Sequence, residues 1–350
     1  MRKSAVLGAP FDFRTGLPKE LVLAKPVEQG YDPAMLDGCP GGFPLMAVRK
    51  WNGWRLIATF VPGRRVGDDQ TIRLYRDGVN DDGVRHRADL HLPHVLSDFR
   101  KLNVPDWTVL STEVIAMRGG TERLGAVGSI LAMKDPFAAV ARQDAEGKLK
   151  LVLHGALCWN QEWLSGVPYD QVLARLTGLA PPNRSGGYVR AVAIEPGTVA
   201  EAQQRVRDNG WEGLVITAHG YGFTWRTDKM NAENPRPDGS YKWKPQLDGD
   251  FIADEPRMST SRKGRLKDVQ LLQIAPDGRT FKCGHLGNFT AEVDAELQRR
   301  GFPSVMEVRY DGRTPAGKLV SPRFVRIRDD KAAGQCVSGE SYDEADYVKK

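Results

Sequence analysis

The hexapeptide Lys50-Trp51-Asn52-Gly53-Trp54-Arg55 places a primary amine and a guanidinium on either side of an Asn-Gly dipeptide. An amine is a nucleophile only when neutral, and a lysine with an ordinary pKa of roughly 10.4 is protonated at neutral pH. Cations crowded around it disfavour its charged form, and the same cations neutralise negative charge developing on the group attacked. Other charged residues follow along the chain, among them Arg76, Glu113, Glu212, Lys242, Lys244, Arg328 and Lys331. Taken singly, each has a plainer reading. The hexapeptide suits an ordinary hairpin with solvated basic residues, the two glutamates suit strand ends, and Lys242 and Lys244 suit the solvated face of a strand.

Order along the chain separates these readings. After the hexapeptide come Arg76-Asp77-Gly78, Glu113 within the apolar run at 109–114, Glu212-Gly213-Leu214-Val215 and Lys242-Trp243-Lys244. The last piece is Pro322-Arg323-Phe324-Val325-Arg326-Ile327-Arg328-Asp329-Asp330-Lys331. This succession resembles the motifs of the covalent nucleotidyltransferases, the family of DNA ligases, RNA ligases and mRNA capping enzymes. Within that family it looks most like the compact ATP-dependent DNA ligases common in phages and as accessory bacterial enzymes. The resemblance spans residues 23–331.

The resemblance implies a chemistry. Lys50 attacks the α-phosphate of ATP, expels pyrophosphate and holds AMP through a phosphoramide bond. AMP then passes to the 5′-phosphate at a nick in double-stranded DNA, and the 3′-hydroxyl displaces it. By the same resemblance Glu113 meets the ribose hydroxyl, Glu212 serves Mg2+ or Mn2+, and Lys242 and Lys244 hold the α-phosphate. Arg55 and Arg76 contact nucleotide or nicked-strand phosphate, and Arg328 and Lys331 orient the departing phosphates. Phosphoryl transfer of this kind rests on positioning and charge neutralisation. Three positions depart from the family pattern. Val48 stands where an acidic residue often reads adenine. His154, in 151–155, stands where an aromatic residue lies under the adenine ring, and it reads either as a stacking substitute or as a buried core histidine. Ser111-Thr112-Glu113 replaces Asp-Gly-Glu.

The elements that must position these residues are partly readable. Apolar runs at 45–48 and 55–60 flank Asn52-Gly53 and predict a tight antiparallel hairpin with Lys50 beside its turn. Thr198 with Glu201 predicts a capped helix start, Gly210 its end, and 213–217 a buried strand opened by Glu212. Residues 231–239, rich in Pro, Asn and Asp, predict a loop. Beyond 247 the pattern shifts to short strands and turns around one helix from Thr290 to Gly301, which fits an OB-fold, and the tail after Lys331 reads as loose. The expected class is therefore α+β: an ATP-grasp-like nucleotidyltransferase domain of antiparallel sheets with flanking helices over 1–246, hinged to an OB-fold β-barrel over 247–350.

Composition is consistent with this reading. With 350 residues the chain has room for about two domains, and 50 Lys plus Arg against 44 Asp plus Glu give a net charge of +6, which suits a polyanionic partner. Arg262, Lys263, Arg265 and Lys267 form a basic cluster read as a DNA-phosphate contact. Aromatics at 221, 223 and 225 are read as packing or DNA contacts. Cys39, Cys158, Cys283 and Cys336 lie too far apart for a zinc pair and read as reduced thiols. No apolar run reaches the ~18 residues a membrane span needs, and Pro10 and Asp12 interrupt any secretory h-region. A soluble, cytoplasmic monomer is expected. The competing readings are an RNA ligase, a GTP-using mRNA capping guanylyltransferase, and a non-catalytic OB-fold protein that binds nucleic acid. The absence of a Gly-x-x-x-x-Gly-Lys-Ser/Thr string argues against a P-loop ATPase, and the missing four-cysteine module argues against an NAD-dependent ligase.

Overall fold

The computed structural model describes residues 25–26, 29–30, 45–63, 69–76, 86–118, 121–164, 166–218, 220–222, 225–226, 240–314 and 316–339. The chain divides into two compact units, Met1–Trp243 and Lys244–Lys350, both mixing helices with strands. Asp77, Gly78, Cys39, residues 231–239, His219, Phe223 and the acidic tail from Glu340 lie outside the described residues.

In the first unit the elements run β1 (Leu45–Lys50), β2 (Trp54–Val61), β3 (Thr71–Arg76), α1 (Pro93–Phe99), β4 (Thr108–Ile115), α2 (Leu124–Leu131), α3 (Pro136–Glu146), β5 (Lys150–Trp159), α4 (Tyr169–Leu179), β6 (Val189–Ala191), α5 (Val199–Asn209), β7 (Gly213–Ala218) and β8 (Ser240–Trp243). Two sheets carry the site. The larger has the order β5-β4-β2-β3, with β6 parallel on β5; the smaller places β7 between β8 and β1.

The predicted hairpin does not form. β1 pairs with β7, whereas β2 pairs with β3 and β4, so Asn52-Gly53 carries the chain from one sheet to the other. The reason lies in the burial of β1. Met46 and Val48 belong to the main core, while Ala47, pointing the other way, packs with Ala202, Val206, Leu214 and Ile216 under α5. A strand covered on both faces belongs inside a layered structure, and a two-stranded hairpin would leave one face in water.

Local signals place α5 as expected. The Thr198 hydroxyl accepts the Glu201 N–H at 3.3 Å, the Glu201 carboxylate accepts the Thr198 N–H at 2.7 Å, and Gly210 ends the helix at φ 61°. Such a reciprocal cap satisfies two otherwise orphaned donors.

In the second unit β9 (Leu247–Met258), β10 (Leu266–Ile274), β11 (Thr280–Gly287), α6 (Ala291–Arg300), β12 (Ser304–Tyr310) and β13 (Arg323–Ile327) build one antiparallel sheet in the order β11-β10-β9-β12-β13. The expected closed barrel is corrected: among the described residues β11 and β13 share no ladder, and the sheet is an open path. Side chains cover the seam, where Phe289 and Phe324 meet edge to face at 6.1 Å. The tail is not loose through Ser338. Ile274 donates to the Cys336 carbonyl and Ser338 to the Ile274 carbonyl, both at 2.8 Å, and Cys336 is buried with Ile252, Leu272 and Val305. Cys158, Cys283 and Cys336 are buried free thiols. Among the described residues no helix is long and apolar enough to cross a membrane.

Candidate active site

Pairing of β1 with β7 sets Lys50 opposite Gly213. Glu212, at the mouth of β7, thereby reaches Lys50, whose Nζ donates to Oε2 at 2.6 Å. Both side chains are mostly buried, at 22 % and 17 % exposure, so neither charge is freely solvated and each depends on the other.

Just after Lys50 the chain crosses to the larger sheet through Gly53, whose N–H donates to the Glu113 carboxylate. A Cβ on Gly53 would lie 2.1 Å from the Val114 carbonyl oxygen and 2.9 Å from the Glu113 Cγ. Glycine is therefore required by close approach rather than by an unusual φ. Gly53→Ala is expected to destabilise the chain by about 1–3 kcal/mol, the usual consequence of overpacking against backbone that cannot move aside. An unfolding midpoint in urea equal to that of the parent chain would contradict this.

Arg55 sits directly across from Glu113 on paired strands. Burial, reinforced by the negative charge of Glu212, pushes the Glu113 carboxyl up to about 7, although Lys50 and Arg55 pull it down. Between the ordinary carboxylate value and about 7 the folded chain holds a proton that the unfolded chain has released, so this group's contribution to stability falls as pH rises through that window and levels off above it. Glu113→Gln should therefore gain in Tm relative to the parent between pH 5 and pH 8, a difference that paired thermal melts would detect. A constant Tm difference across this range would rule out the buried acid.

His154 occupies a bulge. Ser111 pairs with Gly155 and Thr112 with Leu153, which leaves His154 as the extra residue between them. Bulges re-aim side chains beside sites, and here the ring Nε2 lies 3.4 Å from the Ser111 hydroxyl. Burial first, then the positive charges of Arg55 and Lys50, lower its imidazole to about 3, so the ring is neutral at physiological pH and keeps a π-face that can stack. The Tyr169 hydroxyl donates to the His154 carbonyl at 2.8 Å, which ties α4 to the bulge. Val48 is buried and bridges to Ile194, and Glu195 donates its N–H to the Ala47 carbonyl at 2.7 Å.

Five of the residues singled out from the sequence thus gather in the first unit: Lys50, Arg55, Glu113, His154 and Glu212. Lys242 stands opposite Val215 on β8, exposed, and the Arg76 guanidinium lies 5.9 Å from the Trp54 ring centre. The remaining ones belong to the second unit, where carboxylates hold several of them. Lys244 lies 3.6 Å from Asp311. Arg328 donates to Asp250 at 2.9 Å and, through a two-point fork, to Asp330 at 2.7 and 2.8 Å, and Lys331 also pairs with Asp250. Arg265 is bound to Asp294 and to the Phe289 carbonyl, which engages it within the fold. Arg262, Lys263 and Lys267 are exposed.

Among the described residues no three His, Cys, Asp or Glu side chains gather into a metal cage. Mg2+, however, is commonly held by one or two carboxylates plus substrate phosphates and water, and Glu212 with Glu113 fits that donor set.

Sequence reasoning missed the support behind Lys50. Glu122 accepts from Arg49 at 2.6 Å and from the Asn52 N–H at 2.9 Å, and the Arg49 guanidinium lies 3.8 Å from the Trp51 ring centre and 4.2 Å from that of Trp211. No local pattern marks a contact between residues so far apart in the chain.

No family model and no curated protein matches the chain. Among solved structures, it is similar to one from a study of Lig E DNA ligases and DNA binding with a minimal scaffold, at 15% identity and a TM-score of 0.58 over 87% of this chain and 99% of that one. It is also similar to the structure named Pmar-Lig_Pre, at 15% identity and a TM-score of 0.58 over 88% of this chain and 69% of that one. A third, Pmar-Lig_PreS3, aligns at 15% identity with a TM-score of 0.57 over 87% of this chain and 68% of that one. Across most of its length the chain therefore shares the fold of a Lig E DNA ligase.

Proposed function

We propose that this chain is an ATP-dependent DNA ligase that seals 3′-OH/5′-phosphate nicks in duplex DNA through AMP carried on Lys50 and then on the 5′-phosphate. The observation that carries the reading is the placement of Lys50 at the end of β1, with its Nζ on Glu212 at 2.6 Å and Glu113, Arg55 and His154 around it. An amine so placed has cations nearby to stabilise charge on phosphorus and carboxylates nearby to draw off its proton.

In the first step the Lys50 nitrogen forms a bond to the α-phosphorus as the bond to pyrophosphate breaks, and the ammonium proton leaves toward solvent or a neighbouring carboxylate. Arg55 and Lys242 balance charge on the α-phosphate, with Lys244 assigned the same task. Arg328 and Lys331 are assigned to the leaving pyrophosphate, exchanging Asp250 for phosphate oxygens. Glu113 accepts from the ribose, and the neutral His154 ring offers the face for adenine. Glu212, with Glu113 beside it, would hold a Mg2+ or Mn2+ ion, which when bound supplies Lewis-acid stabilisation of phosphate charge.

The five-stranded sheet of the second unit is read as an OB-type module, a fold that is often only partly closed. Exposed Arg262, Lys263 and Lys267 on it would contribute phosphate contacts, and Arg76 would add one from the first unit. The likeness in fold to a Lig E ligase over 99% of that chain supports a minimal ligase, which is read as a monomer. The intended partner is nicked double-stranded DNA in the cytoplasm.

The test is incubation with labelled ATP or GTP and magnesium, followed by addition of a singly nicked duplex, with label on protein and strand joining both recorded. Covalent AMP together with joined DNA supports the ligase. Label from GTP would replace it with a capping enzyme, label from ATP with joining of RNA alone would replace it with an RNA ligase, and DNA binding without any label would leave a nucleic-acid-binding protein.

A further inference from the structure

The far side of β1, away from Lys50, carries a second charged cluster. Side chains alternate along an extended strand, so Arg49 projects to the face opposite Lys50. There it is clamped from three directions. The Glu122 Oε1 accepts from its guanidinium at 2.6 Å, and the rings of Trp51 and Trp211 lie on it at 3.8 and 4.2 Å. The second oxygen of Glu122 accepts the backbone N–H of Asn52 at 2.9 Å. A second guanidinium, that of Arg190, lies 4.7 Å from the Trp51 ring centre. One carboxylate therefore grips the chain both immediately before and just after Lys50. It does so in a poorly solvated place, with Arg49 at 13% and Glu122 at 7% exposure, where charge-assisted hydrogen bonds hold geometry most firmly.

We infer that Glu122 is a positioning residue for Lys50: it anchors the Arg49 side chain before the nucleophile and the Asn52 amide after it, so that the amine is held in line with the phosphorus it attacks. Only the position of the Lys50 nitrogen is at stake, so the effect should fall on the one step in which that nitrogen forms a bond. The inference rests on the reading of Lys50 as the nucleophile. Glu122 acts on Lys50 through Arg49 and the Asn52 amide. Arg190, with its guanidinium 4.7 Å from the Trp51 ring centre, adds a second cation to the same cluster.

The test uses the full chain with Glu122→Ala and Glu122→Gln, measuring attachment of labelled AMP to protein as a function of ATP concentration and, separately, sealing of a nicked duplex that already carries AMP on its 5′-phosphate. A misplacement of about 1 Å is worth up to 100-fold in rate. Glu122→Ala should therefore slow the maximal rate of AMP attachment by about tenfold or more, leave the half-saturating ATP concentration unchanged, and leave sealing of the pre-adenylylated nick within about twofold. Glu122→Gln, whose amide oxygen still accepts the Asn52 N–H, should recover a large part of the lost rate. Equal losses in both reactions would reduce Glu122 to a general structural role and overturn the inference, as would unchanged attachment. If Glu122→Ala does not fold, Glu122→Gln decides alone: slower attachment with intact sealing supports the inference, and parallel loss overturns it. A separate control, Lys50→Ala, that still takes up label would remove the nucleophile itself, a failure distinct from any result with Glu122.

Discussion

Lys50→Ala should show no AMP on the protein and no sealing of an ordinary nick, a loss of about four orders of magnitude or more, as for removal of other covalent nucleophiles. The geometry argues for so large an effect. Glu212 holds Nζ at 2.6 Å in a mostly buried setting, so removing this amine removes the one nitrogen assigned to the covalent bond. Lys50→Arg should be equally inactive, because a guanidinium stays protonated and cannot offer a lone pair. Gel autoradiography after incubation with α-labelled ATP reads both variants directly, and label persisting in either would place the covalent bond elsewhere. Each variant also removes the Lys50 contact of Glu212, so circular dichroism should accompany the assay to show that the fold survives.

Glu212→Ala comes second in expected size, at about 100- to 1,000-fold in AMP attachment, the range seen when one preorganised electrostatic contact is removed. Two effects combine in it. Lys50 loses the acceptor that aims its amine across the end of the β1–β7 pair, and the site loses one of the two carboxylates that fit a divalent ion. The two effects can be separated by titrating magnesium. Loss of a metal carboxylate predicts that a higher magnesium concentration is required for half-maximal attachment, with partial recovery of rate at saturation. Loss of aim alone predicts a lower rate at every magnesium concentration with an unchanged midpoint. A variant with the parent's rate and midpoint would exclude Glu212 from both roles. Removal of the carboxylate also takes away a negative charge that raises the Glu113 pKa, so the pH window of the Glu113 effect should shift downward in the same variant.

What the sequence by itself determined is the identity and order of the groups proposed to do chemistry. Lys50, Arg55, Glu113 and Glu212 are named by motifs whose members are few residues apart, and the cap of α5 follows from Thr198, Glu201 and Gly210, which interact within one turn. Such signals are legible because cause and effect are close neighbours in the chain. The tertiary structure decided what long-range pairing controls. Asn52-Gly53, by local chemistry a hairpin, became a passage between sheets because β1 is buried on both faces and Gly53 must approach the Val114 carbonyl. His154 became accessible to the site through a bulge that no periodicity announces. Arg265, read as a phosphate contact, is engaged with Asp294, whereas Glu122, unmarked in the sequence, holds both sides of Lys50. Side-chain types set the reactions a chain can attempt; which of them meet is set by strand order and register, through contacts between residues tens of positions apart that leave no local trace.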